Sequence, residues 1–518
     1  MPGSVSHLHM DRGRRVALWL LILAALIASF RTLNLDMQTL ITGIPYALSL
    51  IGDMFPPDFS RWKKMALLTA ETISIGFWGT IFGMIFSFPL GFLSASNTSP
   101  NAVVYYLSKT LVNILRAIPD ILYAIIFVIS LGMGPVAGVL ALTVATTGML
   151  SKFYAESVES IDMKAVEAVR ATGAYGLSVI RHSVLPQVFP LFMGYNLYLL
   201  DHNIRVAMAI GIVGAGGLGV ELFTQMRSFH YRNVSAILII IFLIVSVIDR
   251  ISAYLRKAVI DGTFLSKENK IKDIAFLAGI ALVSVVSLLF IPVSLNEIVR
   301  GIPRIGWFLS GLIPPDLSDL PNYVRLMLET IAIGVCGTAL AIVISIPLGM
   351  LSARNITNSP VIYNTAREII NFFRAMPELV FALIFISAVG LGAFAGVLAI
   401  SLHTSGLLSK FYAEAIENVD PNPVEAVEAT GANFLQKIRH SIIPMVLPLF
   451  NSYNLYLLDR NIRASTVLGI VGAGGIGFEL IMSTRLFEYE KTATVMLVIL
   501  VTIITVDALS SYLRKKVV

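Results

Sequence analysis

Long apolar runs separated by short polar stretches make up most of the chain. A helix needs about 20 mostly apolar residues to cross a hydrocarbon core about 30 Å thick. In the first half of the chain, runs that meet this requirement lie at residues 16–33, 65–93, 103–131, 134–155, 186–212 and 234–255. We therefore expect six transmembrane helices in this half of the chain.

The first apolar run follows a basic segment, residues 11–15. The sequence after the run, 30–33, contains no cleavage site of small residues, so we expect a retained signal-anchor helix. Basic residues flank membrane helices on the cytoplasmic side, which predicts a cytoplasmic N-terminus. An even number of spans then returns the chain to the cytoplasm near Arg256 and Lys257, where the polar stretch 258–273 is predicted to be a linker.

An internal repeat recurs at a constant offset of 258 residues. The segment Ser151–Glu156 is repeated unchanged as Ser409–Glu414, and Tyr195–Asp201 is repeated as Tyr453–Asp459. The alignment needs no gap over most of the first copy. Self-similarity of this kind indicates that the second half is another copy of the first.

The repeat divides the chain into a first half at 1–257, a linker at 258–273 and a second half at 274–518. Matching loops carry matching charges, so both halves should have the same orientation, as in parallel-repeat transporters. The predicted fold is an all-α polytopic membrane protein of about 12 helices, with cytoplasmic termini. Two such halves bury polar faces against each other and leave a shared pathway, which favours transport.

The amino-acid composition narrows the class of protein further. The 518 residues are 56% hydrophobic and only 14% charged, whereas an average soluble domain has about 25% charged residues. This excludes disordered, fibrous and ordinary soluble proteins. The net charge of +6 does not indicate nucleic-acid binding, because Lys and Arg mark cytoplasmic loops in membrane proteins. The one cysteine, Cys336, allows no disulfide within the chain.

A polar loop between the fourth and fifth spans carries the most specific motif. It contains Val166–Gly173 followed after nine residues by Ser183–Pro186, and the second copy matches with Val424–Gly431 and Ser441–Pro444. The pattern predicts a short helix, a glycine turn and a second short helix. Asp420 before Pro421 is a favourable N-cap and N1 pair, and each glycine suits a left-handed C-cap.

This loop resembles the EAA loop of bacterial ABC importer permeases, whose coupling helix docks on the ATPase subunit. The resemblance implies coupling roles for six residues: Glu167, Ala168, Gly173, Glu425, Ala426 and Gly431. The third motif position is valine in both copies, and serine replaces the family's isoleucine, but the spacing is kept. The implied fold is that of type I (MetI-like) ABC importers, in the bacterial cytoplasmic membrane.

Further segments resemble the phosphonate importer permeases, namely Arg116–Ala124 with Arg374–Ala382, and Gly469–Leu480. The resemblance implies two permeases fused in one chain. It also implies two copies of an ABC ATPase, which would hold ATP and magnesium, and an extracytoplasmic substrate-binding protein. No cofactor on this chain and no nucleic-acid partner is expected; the lipid bilayer surrounds the spans.

A glycine pattern, Gly214-x-Gly216-x-x-Gly219, matches the dinucleotide-binding fingerprint and recurs 258 residues later. That fingerprint has meaning only between a strand and a helix, and here it follows an apolar span. We expect a glycine turn or a close helix contact instead. No GxxxxGK[S/T] segment occurs in the sequence, so ATP hydrolysis would belong to another polypeptide.

Ionisable and amide side chains inside the predicted spans are candidates for the translocation pathway, because such groups are costly in the membrane unless paired or hydrated. They are Arg116, Arg374, Asp120, Glu378, Asn196, Asn454, Asp201, Arg205, Asp459 and Arg463. Arginine offers a forked set of donors that suits phosphonate oxygens. The aspartate and arginine pairs are spaced by four residues, which favours salt bridges that fix helix packing.

The sequence therefore predicts the permease of an ATP-driven importer for phosphonate or a related phosphorus oxyanion. Two alternatives stay open at this point: a permease for phosphate, phosphite or another small solute, and an ion-coupled secondary transporter with Asp201 and Asp459 as titrating groups. A membrane enzyme has no support, because no catalytic spacing of His, Asp or Glu is present.

Overall fold

A computed structural model of the chain describes residues 24, 26–33, 37–260, 279, 282–291 and 295–517. The basic segment 11–15, the beginning of the predicted span 16–33 and linker residues 261–273 lie outside the described residues. Within those ranges the structure consists of helices joined by turns, and no strand is present.

The chain forms two compact units. The first unit comprises residues 49–315 with 375–377, and the second comprises residues 1–48, 316–374 and 378–518. Both units therefore contain residues from both copies of the repeat.

The first unit contains the helices of the first repeat copy. In chain order its longer helices are α2 (Trp62–Leu93), α3 (Ala102–Ala117), α4 (Asp120–Leu131), α5 (Pro135–Glu159), α6 (Met163–Ala171), α7 (Leu185–Gly211), α8 (Leu218–Arg227) and α9 (Tyr231–Ile260), followed by α10 (Leu295–Gly311). Helix α1 (Met37–Asp53) precedes them, and most of it, residues 37–48, belongs to the second unit. Helix α10 packs on α4, where a side chain on Gly301 would collide with Leu131.

The second unit repeats this order. Its helices are α11 (Leu320–Leu351), α12 (Pro360–Ala375), α13 (Glu378–Val389), α14 (Ala393–Glu417), α15 (Pro421–Ala429), α16 (Ile443–Leu468), α17 (Ile476–Arg485) and α18 (Tyr489–Val517). Here the N-terminal helix α1 approaches α13, since a Cβ on Gly43 would lie 2.6 Å from Val389.

Seven helices in the described part of the chain are long and apolar enough to cross a membrane, or up to nine if each of two bent pairs counts as one span. The predicted continuous span 103–131 is one of these bent pairs: α3 and α4 meet at 86°, and α12 and α13 meet at 91°. Pro119 and Pro377 explain the breaks, because proline lacks the N–H of a helical hydrogen bond and disfavours helix in the residue before it.

Glycines bring each bent pair close to a neighbouring long helix. A Cβ on Gly148 of α5 would lie 2.8 Å from Leu115, and a Cβ on Gly406 of α14 would lie 2.7 Å from Phe373. Only glycine leaves room for the backbone of the crossing helix at these points. The close approach places Arg116 and Arg374 beside the middle of α5 and α14.

Buried amide and hydroxyl groups tie three helices together in each copy. The Asn203 amide on α7 donates to Thr80 on α2 and to Thr146 on α5, both at 2.8 Å. In the second copy, Asn461 donates to Thr338 at 2.8 Å and accepts from Thr404 at 2.8 Å. Since all of these side chains are buried, breaking a bond would leave a buried polar group without a partner, so the bonds set the relative height of the three helices.

The glycine pattern of the sequence forms a turn between α7 and α8, as predicted. The N–H of Gly217 donates to the Glu71 carboxylate at 2.9 Å, and the N–H of Leu218 donates to the Thr72 hydroxyl at 2.8 Å. Glu329 and Thr330 make the same two bonds to Gly475 and Ile476 in the second copy. The N–H groups with which a dinucleotide fingerprint binds phosphate are thus occupied by a helix of the same chain.

We expect Gly219→Ala to destabilise the protein by about 1–3 kcal/mol, because overpacking forces the backbone apart. A Cβ at this position would lie 1.9 Å from the carbonyl oxygen of Met208. The measurement is thermal unfolding of the detergent-solubilised chain. Gly194→Ala on α7 is the control, since nothing lies within 4 Å of its Cβ position; equal melting temperatures for the two variants would contradict the close contact.

We expect Glu71→Ala to cost about 1–3 kcal/mol, because it leaves the Gly217 N–H buried without an acceptor. Glu71→Gln keeps an oxygen acceptor and should melt close to the wild type in the same assay. Glu329→Ala tests the equivalent bond in the second copy. If the alanine and glutamine variants melt together, the carboxylate does not hold the turn.

Candidate coupling loop and intramembrane polar groups

The loop helix α6 begins and ends as its sequence predicts, and α15 repeats it. The Asp420 side chain accepts the Asn422 N–H at 3.0 Å, and Pro421 occupies the first helical turn. In the first copy, Asp162 accepts the Lys164 N–H at 3.0 Å. Gly173 and Gly431 follow the helices with φ of +88° and +78°, the left-handed conformation expected of a C-terminal glycine.

One face of α6 is buried and the other is exposed. Val166 is 3% exposed and packs in a core with Tyr154, Val179 and Val184. Glu167, Ala168 and Gly173 are exposed, as are Glu425, Ala426 and Gly431 in the second copy. The motif residues are therefore accessible on a helix whose other side is fastened to the membrane helices.

The two loop helices differ in charge. Arg170 near the end of α6 corresponds to Glu428 on α15, and Lys164 corresponds to Asn422. Glu428 forms a salt bridge with Lys437 of the following segment. The exposed face of the first loop helix is consequently more basic than that of the second.

The two predicted asparagines are held by tyrosines in the structure. Asn196 accepts a hydrogen bond from Tyr154 at 2.5 Å, and Asn454 accepts one from Tyr412 at 2.6 Å. Tyr154 in turn stacks on Phe192 with ring centroids 3.9 Å apart. These contacts join α5 to α7 and α14 to α16, so they stabilise helix packing within each copy.

The predicted pairs of aspartate and arginine meet on one face of their helix. Arg205 donates two bonds to Asp201, at 2.8 and 2.6 Å. Arg463 lies 2.9 Å from Asp459 and 3.3 Å from Asp507 of α18. The Asp201 side chain is only 5% exposed, and a bidentate partner compensates for this burial.

Arg116 and Arg374 lie in the last turn of the first helix of each bent pair, and Asp120 and Glu378 begin the second helix. The structure thus brings each arginine and the carboxylate four residues later to the same bend. A carboxylate at a helix N-terminus is favoured by the dipole of the helix.

Two further ionisable side chains lie beside this bend in the second copy. The Nε2 atom of His403 on α14 is 3.3 Å from Glu378 Oε2 and 3.3 Å from Arg460 Nη2. The sequence prediction did not include His403 or Arg460. A signal was present, because the repeat is broken at both positions: Ala145 and His202 occupy them in the first copy.

Outside the spans, the repeated Pro-Pro-Asp segments fasten the start of each copy. The Asp58 N–H donates to the Arg232 carbonyl at 3.0 Å, and the Asp316 N–H donates to the Glu490 carbonyl at 3.1 Å. The Ser60 N–H donates to the Asp58 carboxylate at 2.8 Å, a bond that lowers the pKa of Asp58. The pKa of Asp316 is also lowered, mainly by its hydrogen bond with Ser318.

The chain is similar to known transport proteins along most of its length. The phosphate-import permease protein PhnE of Mycolicibacterium smegmatis is 34% identical over 500 residues, which cover 95% of this chain and 93% of that protein. The phosphite transport system permease protein PtxC of Stutzerimonas stutzeri is 40% identical over 270 residues, covering 52% of this chain and 97% of PtxC. A structure of the MetNI methionine ABC transporter aligns with a TM-score of 0.34 and 23% identity, covering 38% of this chain and 95% of that one.

A family model, that of the binding-protein-dependent transport system inner membrane component, matches residues 87–261 and again residues 345–518. The two matches begin 258 residues apart, which is the offset of the internal repeat, and together they cover more than half of the chain. The predicted all-α polytopic fold with two permease copies is confirmed. The chain belongs to the family of inner membrane components of binding-protein-dependent transport systems.

Proposed function

We propose that the chain forms the translocation pathway of an ATP-driven importer for phosphonate or a related phosphorus oxyanion. The observation that carries the proposal is the repeated loop helix, fastened on one face and exposed on the other, in a chain of the inner membrane component family. The substrate class rests on the names of its relatives, which are permeases for phosphate and phosphite.

The proposed partners are two copies of an ABC ATPase on the cytoplasmic side and an extracytoplasmic substrate-binding protein. The ATPase copies would bind ATP and magnesium and would contact Glu167, Ala168 and Gly173 in one loop and their counterparts in the other. Both termini would be cytoplasmic, in a bacterial plasma membrane. The spans would alternate between inward and outward openings as the loop helices follow the ATPase.

Among the intramembrane candidates, we assign the pathway role to Arg116 and Arg374 with Asp120 and Glu378. Their location at a proline break supports this role, because a broken helix frees backbone groups that can face a water-filled cavity. The bonds of Asn196 and Asn454 to tyrosines, and the bidentate pair of Asp201 with Arg205, support a packing role for those groups.

The first test is uptake by cells that lack other phosphorus transport and express this chain with its neighbouring ATPase and binding-protein genes. We expect uptake of phosphonate, phosphite or phosphate that stops when the ATPase is inactivated by substitution of its Walker lysine. Uptake that persists without ATP hydrolysis and follows a proton or sodium gradient would instead identify a secondary transporter.

The second test concerns the loop. We expect Gly173→Val and Gly431→Val to abolish co-purification of the ATPase and to lower uptake at least tenfold, because a β-branched residue cannot adopt the left-handed conformation without strain. Gly132→Val is the control for backbone strain: its φ is +97° and its ψ is 170°, a conformation that essentially only glycine adopts, and nothing lies within 4 Å of its Cβ position. Retained ATPase binding in both loop variants would overturn the coupling role.

The third test concerns the bend. We expect Arg116→Ala to lower uptake at least tenfold, the effect of losing about 1.4 kcal/mol, while the complex with the ATPase still assembles. Arg116→Lys should retain part of the uptake, because it keeps the charge but not the fork. Arg250→Ala, an exposed position on α9, is the control. Unchanged uptake in Arg116→Ala would remove this residue from the pathway.

A further inference from the structure

The polar clusters inside the two copies can be compared position by position. Four of them are present in both copies: the tyrosine and asparagine bond, the aspartate and arginine pair, the asparagine and threonine tie, and the glutamate and threonine cap of the glycine turn. Three of these clusters join helices of one copy, and the aspartate and arginine pair lies within one helix. Because all four recur in both copies, these clusters serve the fold of the repeated unit.

The cluster of Glu378, His403 and Arg460 does not follow this rule. The equivalent positions of the first copy hold Asp120, Ala145 and His202, so the first copy has no imidazole at the central position. The four clusters that hold the repeated unit recur in both copies, whereas a small asymmetric cargo can be contacted by one copy alone. The difference between copies therefore points to function.

The cluster lies deep within the span. His403 is ten residues from Ala393 and fourteen from Glu417 along α14, which places it about 15 and 21 Å from the two ends of the helix. It is 8% exposed at the side chain, and Glu378 beside it is 25% exposed. Ionisable groups at such a depth are functional candidates by default.

The guanidinium of Arg460 has more N–H donors than its hydrogen bond to His403 uses. In the part of the chain that the structure describes, its guanidinium hydrogen-bonds to His403 at 3.3 Å, whereas Arg205 and Arg463 are each paired with an aspartate. A guanidinium carries five N–H donors. A neutral imidazole nitrogen uses one of them and leaves the positive charge uncompensated by direct contact.

His403 Nε2 cannot serve both of its neighbours at once. As an acceptor it binds Arg460, and as a donor it binds Glu378, since a ring nitrogen is either protonated or not. The described residues include no ion pair between Glu378 and Arg460, and the imidazole contacts both of them instead. The fork of Arg460 is thereby kept available for another anion.

We propose that Arg460 is an oxyanion contact of the translocation pathway that exists in the second copy only, with His403 as its positioning residue. This inference rests on the proposed function. The guanidinium would bind two oxygens of a phosphorus oxyanion through parallel N–H bonds. The carboxylate of Glu378 would repel the same anion. The anion would therefore bind only weakly and could leave the site again, as conduction through a pathway requires.

The first experiment measures binding without transport. Thermal unfolding of the purified chain is recorded in increasing inorganic phosphate, phosphite or methylphosphonate, against sodium chloride at equal ionic strength. A ligand that binds only the folded state raises the melting temperature, and we expect a rise of about 1–3 °C for at least one anion. Arg460→Ala should lose this rise and Arg460→Lys should keep part of it.

His202→Ala, at the position equivalent to Arg460 in the first copy, is the matched control and should keep the full rise. The inference is overturned if Arg460→Ala shows the same rise as the wild type, or if the wild type shows no rise with any of the three anions. Because each variant is compared with itself in chloride, a general loss of stability does not imitate the result.

The second experiment measures uptake by the complete importer. We expect Arg460→Ala to lower the maximal rate about tenfold, the effect of losing 1.4 kcal/mol, and to change the ratio of phosphite to phosphate uptake. His202→Ala should change neither. If the wild-type importer takes up an anion and Arg460→Ala takes it up at the same rate, the inference is overturned and the proposed function is left intact.

If the wild-type importer takes up none of the three anions, the proposed function is overturned. The binding experiment then still decides whether the site at Arg460 exists.

Discussion

The hydrogen bonds of Asn203 to Thr80 and Thr146 join three helices through side chains that are buried in the interior. Breaking one of them would leave a polar group without a partner in an apolar interior, which costs more than the bond contributes in water. This constraint sets the heights of α2, α5 and α7. The crossing of the bent pair at Gly148 and the closure of the glycine turn at Glu71 follow from those heights.

The turn illustrates the same physical rule at a helix end. The first N–H groups of α8 have no partner within their own helix, and in a protein surrounded by lipid they must be satisfied by another element. Glu71 and Thr72 meet this need from the neighbouring helix α2. The same glycine pattern binds a phosphate in other folds, but here its N–H group donates to a carboxylate. The local sequence does not specify which acceptor group the rest of the fold brings to these N–H groups.

Much of the fold could be predicted from the hydropathy of the sequence and from its internal repeat. The helices α5, α7 and α9 lie within a few residues of the predicted spans, and the capping of α15 by Asp420 agrees with the prediction. The prediction treated 103–131 as one span, since an average over an apolar window does not register a single proline. The sequence-based prediction also included Asn196 and Asn454 among the pathway residues. No pattern along the chain indicates that each of them accepts a hydrogen bond from a tyrosine 42 residues away.

The sequence by itself determined the membrane class, the repeat offset and the loop motif, because these depend on residue type and spacing along the chain. It also determined the pairing of Asp201 with Arg205, since residues four apart on a helix face each other. Only the tertiary structure decided which polar groups from distant segments meet. The cluster of Glu378, His403 and Arg460 draws on three helices, and its members become neighbours only when a bent helix crosses a glycine, a matter of packing that no local pattern encodes.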